Sequence, residues 1–518
     1  MIMGGRRRLL VLVAVLAAGC AVRPVRFADA PAIEAVSDDT PVPMPRVFEP
    51  VHEFRLSEAY LRRPIVNALD PERAPEGGDV NALDEVPRST WISAPNASPP
   101  EDVLDPPVPP LHPLPKMAAV SAEALRVIDA RGRTFEVWRD PADRPEMSTA
   151  AAATASVLMR ALGYHATGAW ARDVTASDFT AVNAADREAL KKLFDAGPKP
   201  VNGRYRVGFV RWPIGVDLGP THALDRRADD GNDRVPHLDR RSLRALGPVF
   251  EWLGVSRLGS GVLRDAYTGK PGKGHVVHWV VDLSGALGAD AVVRPERPRD
   301  DDADLAGRNI WVTMGTLGIY APEVTPTQTR WPSIGEFPPT LARTPFQTSP
   351  PLEPIDRMRP SDGYWIGKRI EAIPHDTIVA ALTAGRFSDG TAHARLGELL
   401  EARRNAVVRR AFAAVTPAEV DRIDATALVL RDEAIARGVS RAVTRYRIEI
   451  VDDHGQRVVD VADVPAEGAR VVIPLPAKAP SYLVLRATAV RDGRAAPRAM
   501  EAHLLLRDGG WRVVGVRH

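Results

Sequence analysis

Cysteine is all but absent: Cys20 is the only one in 518 residues. Without a second thiol no internal disulfide forms, so stability must come from a packed core. Net charge is nearly absent too. The 68 basic residues almost match the 66 acidic ones, giving a formal charge of +2. That balance offers no basic surface to attract nucleic acid. Beyond the first twenty residues no stretch holds the ~20 apolar residues of a membrane span. Gly-x-Ser-x-Gly and His-Glu-x-x-His are missing, which removes two common hydrolase signatures. The chain is long enough to bury a sizeable core and to form more than one domain.

What is present starts at the N-terminus. Arg6, Arg7 and Arg8 precede an apolar run, Leu9 to Leu16, and small residues Ala17, Ala18 and Gly19 lead into Cys20. Charge, apolar run and small residues in that order are the parts of an export signal. Leu-Ala-Ala-Gly-Cys resembles the lipobox of bacterial lipoproteins, although Ala17 stands where leucine is usual. The resemblance implies cleavage after residue 19 and lipid on Cys20, with several acyl chains to hold it. Ala21 in place of aspartate favours the periplasmic face of the outer membrane over the inner membrane.

Residues 20–50 carry six prolines, Pro24, Pro31, Pro41, Pro43, Pro45 and Pro50, and read as an extended tether. Residues 51–120 show no clear period and are expected to wrap over a domain surface, with Trp91 as an anchor. From 121 to 440 the pattern is α+β. Leu125 to Asp140 reads as two strands around Asp129-Ala130-Arg131-Gly132. Met147 to Leu162 reads as a helix ended by Gly163, and Arg240 to Leu253 as another. Tyr205 to Trp212 and Val276 to Leu283 read as strands. Helix is expected over most of 361–414 and again from Ala418 to Ala436. Residues 441–518 switch to strand alternation, punctuated by Asp453-His454-Gly455, Arg491-Asp492-Gly493 and Arg507-Asp508-Gly509-Gly510. These are hairpin turns of a small, β-sandwich-like module of about five strands.

Four blocks carry a wider likeness: Val80 to Trp91, Arg139 to Gly168, Asn232 to Gly254 with Val276 to Ala289, and Asp362 to Arg410. Together they resemble an uncharacterised family of exported bacterial proteins with a protein-kinase-like core. The resemblance implies Asn-His-x-Asp after a helix, a later asparagine, a strand lysine paired to a helix glutamate, and Asp-Phe-Gly after a strand. Such a set orients the acceptor hydroxyl and holds phosphate and metal. Here those positions fall on Gly254, Val255, Ser256 and Arg257, on Val262, on Trp138 and Ala152, and on Asp282-Leu283-Ser284. Only Asp282 keeps its chemistry, so the core resembles a pseudokinase.

Other candidates are weaker. His275 and His278, three apart on a strand, point to opposite faces and make a poor metal pair. Gly269 to Gly274 lacks the Walker order and reads as a hairpin turn. Asp229 to Asp233 lacks a calcium loop's closing glutamate and reads as a turn. His237, Arg240 and Arg241 are candidates to line a polar cleft, with Asp282 as a residual metal or nucleotide ligand or a turn cap. No cofactor and no catalytic residue is expected. The expected function is a membrane-anchored, non-catalytic scaffold that meets an envelope protein or the cell wall. The alternatives are an atypical ATP-dependent phosphotransferase with displaced catalytic residues, and a purely structural lipoprotein.

Overall fold

The computed structural model describes residues 25–48, 76–97, 103–115, 124–255, 262–289, 330–335, 337–342, 346, 348, 352–441 and 444–518. Cys20 and the export signal lie outside them, as do Ser256 and Arg257. The fold class is α+β, with helices and antiparallel sheets. Two compact units are present. A C-terminal unit takes the chain up to Ile33, Asn81–Glu85 and Arg409–His518, and a central unit takes Glu34–Val80 and Val86–Val408.

The central unit holds two antiparallel sheets. Strands β1 (His112–Pro113), β2 (Leu125–Ile128), β3 (Thr134–Trp138), β4 (Ala169–Val174) and β5 (Tyr205–Arg211) form one, in the order β1-β2-β3-β5-β4. The β2–β3 turn closes as expected. The Asp129 carboxylate accepts from the N–H groups of Arg131 and Arg133, both at 2.9 Å, and Gly132 takes φ 76°. Between β3 and β4 runs the helix Met147–Ala161. Asp140 accepts from the N–H groups of Ser148 and Thr149, which satisfies two donors of the first turn. Its alanines let the helix lie close on the sheet against β4 and β5. Gly163 ends it at φ 97°, where a Cβ would stand 2.5 Å from the Ser93 carbonyl oxygen.

The second sheet is β6 (Val216–Pro220), β7 (Leu263–Thr268) and β8 (His275–Val280), in that order. Gly269 to Gly274 is the β7–β8 turn, as read. The helix expected over 240–253 is broken into Arg241–Arg244 and Leu246–Trp252. Pro248 explains the break: it has no N–H for the Arg244 carbonyl, and its ring crowds that turn. Helices Pro360–Glu371, His375–Ala384 and Gly390–Ala413 follow.

The tether expectation needs correction over residues 34–48. These are extended but docked in the central unit. Val42 donates its N–H to Gly274, Phe48 to Leu218, and Asp38 accepts from Thr90. Proline fixes an extended backbone, and neighbouring backbone groups then have strand-like partners for it.

In the C-terminal unit the helix read at Ala418 to Ala436 is instead β9 (Ala418–Ile423) and β10 (Ala427–Asp432), with one helical turn at Glu433–Ala436. Asp424 makes the hairpin, accepting from the N–H groups of Thr426 and Ala427, both at 2.9 Å. Short apolar runs do not separate helix from strand by period alone. The all-strand region therefore starts before residue 441. β9 and β10 join β13 (Arg470–Pro474) in one sheet, order β13-β10-β9. The other sheet has six strands rather than the five read for the module. β12 (Arg457–Pro465), β11 (Thr444–Asp452), β14 (Tyr482–Arg491), β16 (Met500–Arg507) and β17 (Gly510–Arg517) lie in that order, with β15 (Arg494–Ala495) paired to β14. Leu428, Leu430 and Ile473 of the smaller sheet share one core with Ile448, Leu485 and Leu504 of the larger. The three expected turns all connect strands. Asp492 and Gly493, and Asp508 and Gly509, have positive φ, the geometry tight hairpins need.

Candidate functional site

The β7–β8 hairpin has two different faces, because successive side chains on a strand point to opposite sides. One carries Ala266 and Trp279, with Val281 just beyond β8. These join Trp138, Ala152, Val210 and Trp212 in one buried apolar cluster. Trp138 and Ala152 are the positions where a kinase-like core would carry its lysine and glutamate. Gly208, the cross-strand partner of Trp138, makes room for the indole. A Cβ there would lie 2.7 Å from the Trp138 ring and 2.9 Å from Thr149 Cγ2. Neither Trp138 nor Trp279 finds an acceptor for its indole N–H, so shape rather than hydrogen bonding holds these rings.

Two arginines, the buried Arg126 and Arg264, stack on one ring of this cluster. Arg126 lies 3.7 Å and Arg264 4.7 Å from the Trp212 ring centroid. Arg264 is held by Asp217, which also accepts from Trp212 Nε1 at 3.2 Å.

The other positions that the resemblance singled out are structural wherever they are described. Gly254 has φ 61° at the end of the Leu246–Trp252 helix, and a Cβ there would meet Phe337 at 3.1 Å. Val255 and Val262 are buried, and the Val262 carbonyl accepts from Val281 N–H. Asp282 caps a turn, accepting from Ser284 N–H at 2.8 Å.

The opposite face carries Asp265 and His278 beside Tyr267 and Val276, which pack on Val42 and Leu218. His278 Nδ1 lies 2.8 Å from Asp265 Oδ1, Thr221 donates to the same oxygen at 2.6 Å, and Arg227 donates to Oδ2 at 2.9 Å. Trp91 stacks on His278 with centroids 3.5 Å apart, and its other neighbours are His237, edge-on at 4.6 Å, and the Arg240 guanidinium at 4.5 Å. His237 and Arg240 both reach Asp233, each at 2.7 Å, and Arg227 N–H donates to it at 2.5 Å. Two buried carboxylates are thus each shared by a histidine and an arginine.

Burial by itself raises both carboxyl pKa values, but these partners win and hold Asp233 and Asp265 well below the usual range. The one cavity described beside them, lined by Trp91, Thr221, His278 and Trp279 among others, has about 20 Å³. That holds a single water and nothing larger.

The structure therefore brings His237 and Arg240 together but sends Arg241 elsewhere. Arg241 is buried against Asp362 at 3.0 Å, while its N–H bonds to Asp79. Asp282 belongs to neither group. Sequence reading missed Asp265, whose only signal is a lone carboxylate in the strand Leu-Arg-Asp-Ala-Tyr-Thr. It took Asp233 for a turn residue. No protein-family model, curated protein or solved structure matches this chain. Among the described residues, no group of three His, Cys, Asp or Glu is placed to hold a metal ion. No described helix is long and apolar enough to cross a membrane.

Proposed function

We propose that the protein is a lipid-anchored envelope protein whose central unit is a kinase-like scaffold without phosphotransfer chemistry. It acts by binding or as a structural element. The observation that carries this reading is the apolar cluster around Trp138, Ala152 and Trp279. A strand running into a helix on the same sheet is how kinases set lysine against glutamate to hold phosphates. Here β3 runs into the Met147–Ala161 helix, and the space between them is filled with indole and methyl groups. A phosphate there would lose its hydration and gain no compensating charge. The anchor rests on the Arg6-to-Cys20 pattern, and the partner is an envelope protein or cell-wall polymer.

Thermal unfolding of the detergent-solubilised protein with and without ATP and magnesium tests it. A ligand at about a hundredfold excess over its dissociation constant stabilises by ~2.7 kcal/mol. The expected result is an unchanged midpoint at millimolar nucleotide. A magnesium-dependent rise that Asp282→Ala abolishes would instead support an atypical phosphotransferase.

A further inference from the structure

The start of the described chain is seated in the C-terminal unit. Arg26 Nη1 donates to Asp453 at 3.0 Å, Phe27 N–H donates to Tyr482 Oη at 2.8 Å, and Arg507 donates to Asp29 at 2.5 Å. The Phe27 ring lies on Gly515, where a Cβ would come within 2.3 Å of it, and Arg517 covers the ring at 4.5 Å. Glycine at 515 makes the slot in which the phenyl group sits.

These attachment points share one end of the six-stranded sheet. Asp453 is in the β11–β12 turn, Tyr482 opens β14 and Arg507 closes β16. The pairs Asp452–Leu483, Tyr482–Leu505 and Arg507–Gly510 align them across the strands. The opposite end, with Arg491 and Arg494, lies a ten-residue strand away, roughly 30 Å.

Five residues separate Cys20 from Arg26, six Cα–Cα spacings in all. Fully extended, they reach about 20 Å. A lipid on Cys20 therefore keeps this end of the sheet near the bilayer, with no long tether to lift it. The same end has a groove of about 450 Å³, lined by Asp29, Pro31, Arg507, Arg512 and Val513 among others. Arg507 and Arg512 are more than half exposed. Long arginine side chains beside Pro31 and Val513 suit a surface where lipid phosphates lie above acyl chains.

We infer that this end of the sheet, with the Asp453–Gly455 and Arg507–Gly510 turns, is the face of the C-terminal unit that rests on phospholipid headgroups. The inference rests on the anchor reading. Its neighbouring carboxylates, Asp29, Asp453 and Asp508, balance the charge of Arg26, Arg507 and Arg512. The face is thus held by the short leash plus local headgroup contacts, rather than by net charge.

The test uses the full lipidated protein in vesicles of zwitterionic and anionic phospholipids that carry a headgroup-depth quencher. Fatty-acid labelling, and its loss in Cys20→Ser, is scored first. An unlabelled protein overturns the anchor reading itself. Single exposed sites are then made reactive, Ser481→Cys at the leash end and Arg494→Cys at the far end, and tagged with one fluorophore. The acylated Cys20 thiol does not react. Quenching several-fold stronger at 481 than at 494 is expected. Equal quenching, or stronger quenching at 494, on a labelled protein overturns the orientation and leaves the anchor standing.

Discussion

The two faces of the β7–β8 hairpin differ as much as any two regions of the molecule. Asp265 and His278 face a buried ionic network, while their immediate neighbours Ala266 and Trp279 face the apolar cluster. On the apolar face, indole, methyl and valine groups fill the space. On the polar face, charges are abundant and both carboxylates are engaged, while Arg227 Nε and Arg240 Nε are buried without a hydrogen-bond partner. Asp233 accepts from His237, Arg240 and Arg227, and Asp265 from His278, Thr221 and Arg227. A carboxylate with its lone pairs so occupied has little left for a metal or substrate.

Breaking the polar face is expected to cost most. Asp265→Asn removes the charge while Arg227 and His278 stay buried, and stranding a buried partner costs about 3–5 kcal/mol. Urea unfolding at neutral pH measures it. The same pair makes an acid prediction. The folded-state pKa of Asp265 is depressed, so its contribution is complete above the unfolded value of ~3.9 and is lost as pH falls through the folded value. Wild-type protein should lose stability below about pH 4, and Asp265→Asn should lose less over the same range. An identical acid slope in both proteins would mean that Asp265 does not carry this linkage.

Trp138→Ala breaks the apolar face. Truncating a large core side chain costs about 3–5 kcal/mol, and Gly208 opposite it has no side chain to fill the vacated space. Its cost should not change with pH, which separates the two faces experimentally. If the variant gained magnesium-dependent ATP binding in calorimetry, the indole would be a plug over a working site rather than part of a core. Asp282→Ala is the smallest change. It removes one turn-capping hydrogen bond, worth about 1 kcal/mol, and a loss well above that would show a role that the Ser284 contact does not account for.

Much of the local structure was legible. Gly132, Gly163, Gly493 and Gly509 sit where a positive φ closes a turn or ends a helix, and each was readable as punctuation. That Trp138 and Ala152 carry no charge was readable too; that they share one buried cluster was not. β9 and β10 were not, because Ala418 to Asp432 is too short for its apolar spacing to discriminate strand from helix. Within the candidate cleft, adjacency in sequence misled. His237, Arg240 and Arg241 lie within five residues, yet Arg241 leaves for Asp362 while the other two stay with Asp233.

The sequence by itself determined where the backbone turns, which stretches alternate and which positions carry no charge. These depend on φ preference, side-chain period and residue identity, all of which are local. Tertiary structure alone decided that Trp138, Trp212 and Trp279 share one space and that Asp265 meets both His278 and Arg227. It also decided that Phe27 lies on Gly515. Those pairings join segments far apart in the chain, and burial selects them by shape and by the cost of leaving a charge unpaired.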